Sequence, residues 1–272
     1  MLRSTLICLV TALALLEALA ASATTAAGQD QQATIMHWTI DGRQREALVY
    51  APRAKEGAAK HPLVIAFHGH GGHMQSTSAR MHIQTLWPHA IVVYPQGVNT
   101  STRLDPAGTK SGWQGKAGDF GDRDLKLFDA IVATMKRSYR VDKRRIYATG
   151  FSNGAVFSLL LWAERAKTIA AVGEVAGRRD PSETLTAARG LLAVAGRRDA
   201  VAPFAVQQQT IQQARQVNRT TEMGFPCDQY CTFYPSRIGP VPVKTFIHPA
   251  GHVYPEWASN EIVKFFKSHL QP

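Results

Sequence analysis

Cysteine is scarce in this sequence, with three among 272 residues, and acidic side chains are outnumbered 31 to 20 by lysine and arginine. No stretch is apolar for long enough to cross a bilayer: the candidate, Leu6 to Leu16, is short for a span and is followed at once by Glu17. Low-complexity linkers, solenoid-length repeats and basic runs interleaved with aromatic residues are also missing. These absences set aside a membrane-spanning protein, a repeat architecture and a nucleic-acid-binding surface, since the cations are scattered rather than gathered. What remains, 45% hydrophobic and 19% charged residues, is the composition of an ordinary globular domain. A formal charge of +11 favours encounters with acidic polysaccharides or anionic surfaces.

The N-terminal segment has the pattern of an export signal: Arg3, the apolar run, then the small residues Ala21-Ser22-Ala23. Cleavage after Ala23 is expected, leaving residues 24–272 as one catalytic domain in a secreted or periplasmic protein. Cys8 falls in the removed part and lacks the preceding small residues of a lipid-attachment site. Cys227 and Cys231 are then left as a pair, and an oxidising compartment is expected to join them. No second close Cys or His pair stands beside them to complete a zinc site.

Ile35 to Ile40 and Arg45 to Tyr50 are β-prone and separated by a turn opening with Asp41-Gly42, which predicts an antiparallel hairpin. Six continuous apolar runs follow: Leu63 to Phe67, Ala90 to Tyr94, Ile146 to Thr149, Ile169 to Val175, Leu191 to Ala195 and Val243 to Ile247. Such runs mark buried parallel strands, and helical segments such as 124–139 and 203–217 lie between them. The alternation predicts an α/β fold, a mostly parallel sheet covered by helices on both faces, with chemistry at the carboxyl ends of its strands.

One strand–helix junction carries Gly150-Phe151-Ser152-Asn153-Gly154, the GxSxG pattern of a nucleophile elbow. Glycine on either side avoids clashes of a Cβ with neighbouring backbone, and the apex residue is a serine. A serine hydroxyl needs a base to accept its proton and a carboxylate to orient that base. His252, in the loop after the last apolar run, suits the base, with His248 and His269 as competitors. The acid is ambiguous because Val-Ala-Gly-Arg-Arg-Asp occurs twice, ending in Asp180 and in Asp199. Asp199 is preferred, since it follows the second strand after the elbow; Asp180 is the rival, otherwise a capping or surface residue. Two main-chain N–H groups should face the oxyanion, one from Asn153 and one from His70 in His68-Gly69-His70-Gly71-Gly72. Asn153 enters through its main chain, so its side chain is expected to be the less constrained part of the motif. His68, His70 and His73 offer a metal-dependent alternative, but the aspartate that such a hydrolase motif needs is replaced by Gly72.

These motifs, together with Tyr94-Pro95-Gln96-Gly97, Gly112-Trp113 and Val141-Asp142-Lys143-Arg144-Arg145-Ile146-Tyr147, span most of the chain. In this order they resemble secreted α/β-hydrolase esterases of the polyhydroxybutyrate-depolymerase-like and feruloyl or acetylxylan esterase group. The resemblance implies a serine carboxylic ester hydrolase with a Ser152–Asp199–His252 triad, an acyl-enzyme and no cofactor. It implies feruloyl or acetyl polysaccharide esters or hydroxyalkanoate polyesters as substrates, and makes Trp113 and Tyr254 candidate pocket walls. Ser111 departs from the cysteine common there, which puts that group's local disulfide in doubt. A binding protein that keeps the fold without turnover is the alternative from another class, and a peptidase is disfavoured because no propeller or lid domain accompanies the motifs.

Overall fold

The computed structural model describes residues 32–52, 60–180 and 182–271; the expected export signal, its cleavage point after Ala23 and Cys8 lie outside them. The hairpin forms as expected, β1 (Ala33–Ile40) against β2 (Arg43–Tyr50). β3 (His61–Phe67), α1 (Met74–Met81), α2 (Ile83–Leu86) and β4 (Ile91–Pro95) follow. Two short strands, β5 (Val98–Asn99) and β6 (Ser111–Gly112), pair only with each other. The second half runs α3 (Arg123–Ser138), β7 (Val141–Phe151), α4 (Asn153–Arg165), β8 (Ala171–Val175), β9 (Gly190–Gly196) and α5 (Phe204–Val217). It ends in β10 (Phe225–Asp228), β11 (Cys231–Tyr234), β12 (Val243–His248) and α6 (Ala258–Lys267).

Ten strands make one sheet in the order β1-β2-β4-β3-β7-β8-β9-β12-β11-β10. The six predicted apolar runs are its central six strands, all mutually parallel, and antiparallel pairs close both ends. Side chains alternate between faces along each strand. Leu63, Ile65 and Phe67 therefore pack with Phe128, Ile131, Phe157 and Ile211 from α3, α4 and α5. Val64 and Ala66 pack on the other face with Met74, Met81, Ile262 and Phe266 from α1 and α6. Both faces being covered explains why these strands read as continuous apolar runs.

Sequence reading did not anticipate α1 or the β10–β11 hairpin. The buried face of α1 is Met74, Thr77, Ser78 and Met81, at helical spacing but half polar, so no apolar period announces it. Strand β10 is exposed throughout and contains Pro226, which suits an edge. The Cys227–Cys231 disulfide lies in this hairpin, with a Cα–Cα separation of 5.0 Å.

Two buried polar devices shape the carboxyl ends of the strands. In the first, the Arg45 guanidinium on β2 donates to Asp124 Oδ1 at 2.8 Å, with both side chains almost wholly excluded from solvent. Asp124 Oδ2 accepts the Gln114 N–H at 2.9 Å, and Gln114 Oε1 accepts the N–H groups of Asp124 and Leu125. The pair thus fixes the segment following β6 to the start of α3. In the second, Glu174 on β8 is fully buried and accepts the Gly177 N–H at 2.8 Å, while its other oxygen has no partner among the described residues. Burial pushes its carboxyl up to about 8, against a smaller opposing effect of the Gly177 N–H.

Arg45→Ala leaves the Asp124 carboxylate buried without its cation and should cost about 3–5 kcal/mol of stability, measured by urea denaturation. For Glu174 the folded-state value lies above the unfolded one, so stability is fully present below about 4.5 and is lost as pH rises through about 8. Denaturation midpoints should fall across that window in the native protein, and Glu174→Gln should flatten the fall; an unchanged slope contradicts the assignment.

Candidate active site

The chain leaves β7 through Ser152 and enters α4 at Asn153. Ser152 has φ +54° and ψ −118°, a left-handed region that a serine rarely adopts. A Cβ at Gly150 would run into the Gly154 carbonyl, and one at Gly154 would strike the carbonyl oxygens of Phe67 and His68. The first turn of α4 is therefore pressed against the end of β3, which explains both glycines in physical terms. The Ser152 N–H donates to Val175 O at 2.9 Å, and Ser152 O accepts the Val156 N–H at 2.9 Å, so the bent residue is held from both sides.

Around the serine, the structure gathers residues from three strand ends. His252 Nε2 lies 2.9 Å from Ser152 Oγ, and His252 Nδ1 lies 2.8 Å from Asp199 Oδ2. Asp199 is buried, and its carboxylate also accepts from the N–H groups of Val201 and Ala202 and from Gln207 Nε2. A carboxylate on Nδ1 leaves the Nε2 lone pair toward the hydroxyl. The competitors lie elsewhere. Asp180 accepts from the N–H and hydroxyl of Ser182 in a local turn. His248 is buried at the end of β12 beside Trp257, where desolvation lowers its basicity. His269 stacks on Phe265 in the C-terminal segment.

Neither the Asn153 nor the His70 main-chain N–H donates to an acceptor among the described residues. Both residues border the same cavity as Ser152, about 350 Å³ in volume. The Asn153 side chain corrects an expectation: far from unconstrained, its Oδ1 accepts the Trp113 N–H at 2.7 Å and its Nδ2 donates to Trp113 O at 3.0 Å. The two-way clamp ties the elbow to the segment after β6, a role only the tertiary neighbour reveals.

Trp113 borders the cavity and is a core residue as well: it is 1% exposed, donates its indole N–H to His68 O at 2.9 Å and packs against Phe67 and Phe157. Tyr254 does not border that cavity: its hydroxyl pairs with Ser259 at 2.8 Å and its ring meets Phe151 edge-on. The three histidines of the metal alternative are not brought together. His68 Nδ1 donates to Gly69 O and Nε2 accepts the Gly97 N–H, which uses both ring nitrogens, and burial lowers it to about 4. His70 pairs with Asp105 and His73 with Gln75, and no cluster of three metal-ligating side chains occurs among the described residues.

Several cavity residues were missed by sequence reading: Arg103 and Leu104 before Asp105, Phe120 in Gly118-Asp119-Phe120-Gly121, Arg178 and Val201. The only available signal was the duplicated hexapeptide, whose first copy contributes Arg178. Phe120 is 42% exposed with φ +51°, its ring covered on one side by the Arg123 guanidinium at 4.4 Å.

Comparison with known proteins agrees with this geometry at the level of the fold. No protein-family model matches the chain. A 138-residue stretch, 50% of the chain, is 30% identical to the bifunctional acetylxylan esterase/xylanase XynS20E of Neocallimastix patriciarum, covering 18% of that protein. The curated relatives are longer than the matched part: the alignments span 18% and 51% of their lengths. The acetyl xylan esterase of Aspergillus awamori superposes with a TM-score of 0.65 at 14% identity, over 86% of this chain and 99% of that one. A CE1 ferulic acid esterase of Anaeromyces mucronatus, solved with ferulic acid, superposes with a TM-score of 0.60 at 15% identity, over 88% and 90%. No helix among the described residues is long and apolar enough to cross a membrane. The chain has the α/β-hydrolase fold, and its sequence relatives and structural neighbours include acetylxylan, feruloyl and carboxyl esterases.

Proposed function

We propose that the protein is an exported serine carboxylic ester hydrolase, and the observation that carries this is the continuous hydrogen-bonded line Ser152–His252–Asp199 beside a cavity. Ser152 Oγ attacks the ester carbonyl carbon as its proton passes to His252 Nε2, and Asp199 stabilises the imidazolium that forms. The carbonyl oxygen becomes an oxyanion that accepts from the N–H groups of Asn153 and His70. Collapse breaks the bond to the alcohol, which leaves with the proton from His252, and the acyl group stays on Ser152. Water then attacks this acyl-enzyme, giving its proton to His252; the acid departs and Ser152 recovers its hydrogen. No step draws on a cofactor. Acetyl or feruloyl esters of plant polysaccharide and hydroxyalkanoate esters are the substrate classes in view, the first two because relatives and structural neighbours carry those activities in their names.

Purified protein should hydrolyse 4-nitrophenyl acetate, and Ser152→Ala should lower kcat at least about 1,000-fold. Asp199→Ala should lose a comparable factor while Asp180→Ala keeps most activity. Retained hydrolysis in Ser152→Ala overturns the assignment of Ser152 as nucleophile, and a native protein that neither hydrolyses the ester nor is labelled at Ser152 by a fluorophosphonate probe is a binding protein instead.

A further inference from the structure

The cavity beside Ser152 contains cations that the ester chemistry above does not use. Its lining includes Arg103 and Arg178, with Asp119 the one acidic residue among its described lining residues. Most arginines near the core are committed: Arg45 to Asp124, Arg123 to Asn99 O and Thr100, Arg179 to Gln213, Arg189 to Ala166 O and Ile169 O. Arg178 is half-buried yet has no hydrogen bond or ion pair among the described residues. Asp180, on which Arg178 acts electrostatically, spends one oxygen on the Ser182 N–H and hydroxyl. Arg103 is exposed, and the adjacent Asp105 is likewise engaged, by His70, Thr109 and the Lys110 N–H.

The backbone around Arg178 is fixed rather than loose. Ala176, which also borders the cavity, has φ +54°, unusual for alanine, and its N–H donates to Val194 O at 2.8 Å. Gly177 donates to the buried Glu174 carboxyl, and Arg179 is held at both ends, its N–H by Thr210 and its guanidinium by Gln213. A strained, pinned turn therefore presents one arginine to the serine's cavity, which gives a use to the otherwise isolated carboxyl beneath β8. Beside the polar Ser101, the exposed lining includes three apolar side chains, Leu104 at 63%, Phe120 at 42% and Val201 at 38%. An apolar surface with uncommitted guanidinium groups suits an apolar or aryl body carrying an anion.

We propose that Arg178, assisted by Arg103, is a specificity-determining anion anchor, so that the preferred esters carry a carboxylate on the part of the substrate that occupies the Ser152 cavity. This rests on the esterase reading of Ser152. A carboxylate held by a guanidinium lowers KM chiefly, because the contact is present in the ground state and in the transition state alike.

Two rigid substrate pairs test it, each unable to attack its own ester: monomethyl against dimethyl terephthalate, with the charge on the acyl side, and 4-acetoxybenzoate against its methyl ester, with the charge on the alcohol side. The readout is the charged-to-neutral ratio of kcat/KM. In at least one pair, Arg178→Gln should lower this ratio about tenfold, through KM, and Arg178→Lys should restore much of it. Sodium chloride should lower the ratio of the native enzyme in that pair, and Arg103→Gln should lower it less than Arg178→Gln. Ratios that do not move with Arg178→Gln in either pair overturn the proposal, as does a fall that lysine fails to restore in a variant of unchanged melting temperature. Absence of hydrolysis of all four esters and of 4-nitrophenyl acetate by the native protein instead overturns the esterase reading itself.

Discussion

The close approach of the first turn of α4 to the end of β3 is the constraint from which the rest of the site follows. Only hydrogen fits at the Gly154 Cα against the Phe67 and His68 carbonyls, so the helix can come down onto the sheet and Ser152 is forced into left-handed backbone. Strain of this kind costs roughly 1–3 kcal/mol and persists only where the surroundings over-determine it. Here they do: Val175 O holds the Ser152 N–H, the Asn153 amide clamps Trp113, and the Trp113 indole returns to His68 O. Residues 67–68, 113 and 152–153 are thus tied together, so that Ser152 and the loop after β3, proposed above to supply an oxyanion donor, are positioned together.

The duplicated hexapeptide shows how identical residues acquire different roles. Strands β8 and β9 are parallel neighbours with Val175 opposite Val194, so the two copies emerge side by side. In the first copy, Glu174 catches the Gly177 N–H and Arg178 comes to border the cavity. In the second, Gly196 leaves room for the carbonyls of Ala250 and Gly251, the loop bearing His252 settles there, and Arg198 donates to Pro249 O. Asp199 then reaches the imidazole, whereas Asp180, one strand removed, closes a local turn.

Much of the fold was legible because the six parallel strands are buried on both faces, which makes each an uninterrupted apolar run. The elbow was legible because steric exclusion demands glycine at fixed spacing. Helix α1 was not, since Thr77 and Ser78 occupy half of its buried face, and the β10–β11 hairpin was not, since an exposed edge strand has no apolar period. Of the two pocket walls that the resemblance suggested, Trp113 does border the cavity while lying almost wholly in the core, whereas Tyr254 pairs its hydroxyl with Ser259 and does not border it.

By itself the sequence determined the order of strands and helices along the chain, the site of the strained serine, and the short set of histidines and carboxylates able to serve it, because these depend on local sterics and on hydrophobic period. Tertiary structure decided which of those candidates meet, Asp199 with His252 and His252 with Ser152, and that the Asn153 amide is a clamp. It also decided that Arg178 borders the cavity uncommitted while Arg179 beside it does not. Such outcomes depend on strand register and on loops from distant parts of the chain converging at one sheet edge, information that no local pattern carries.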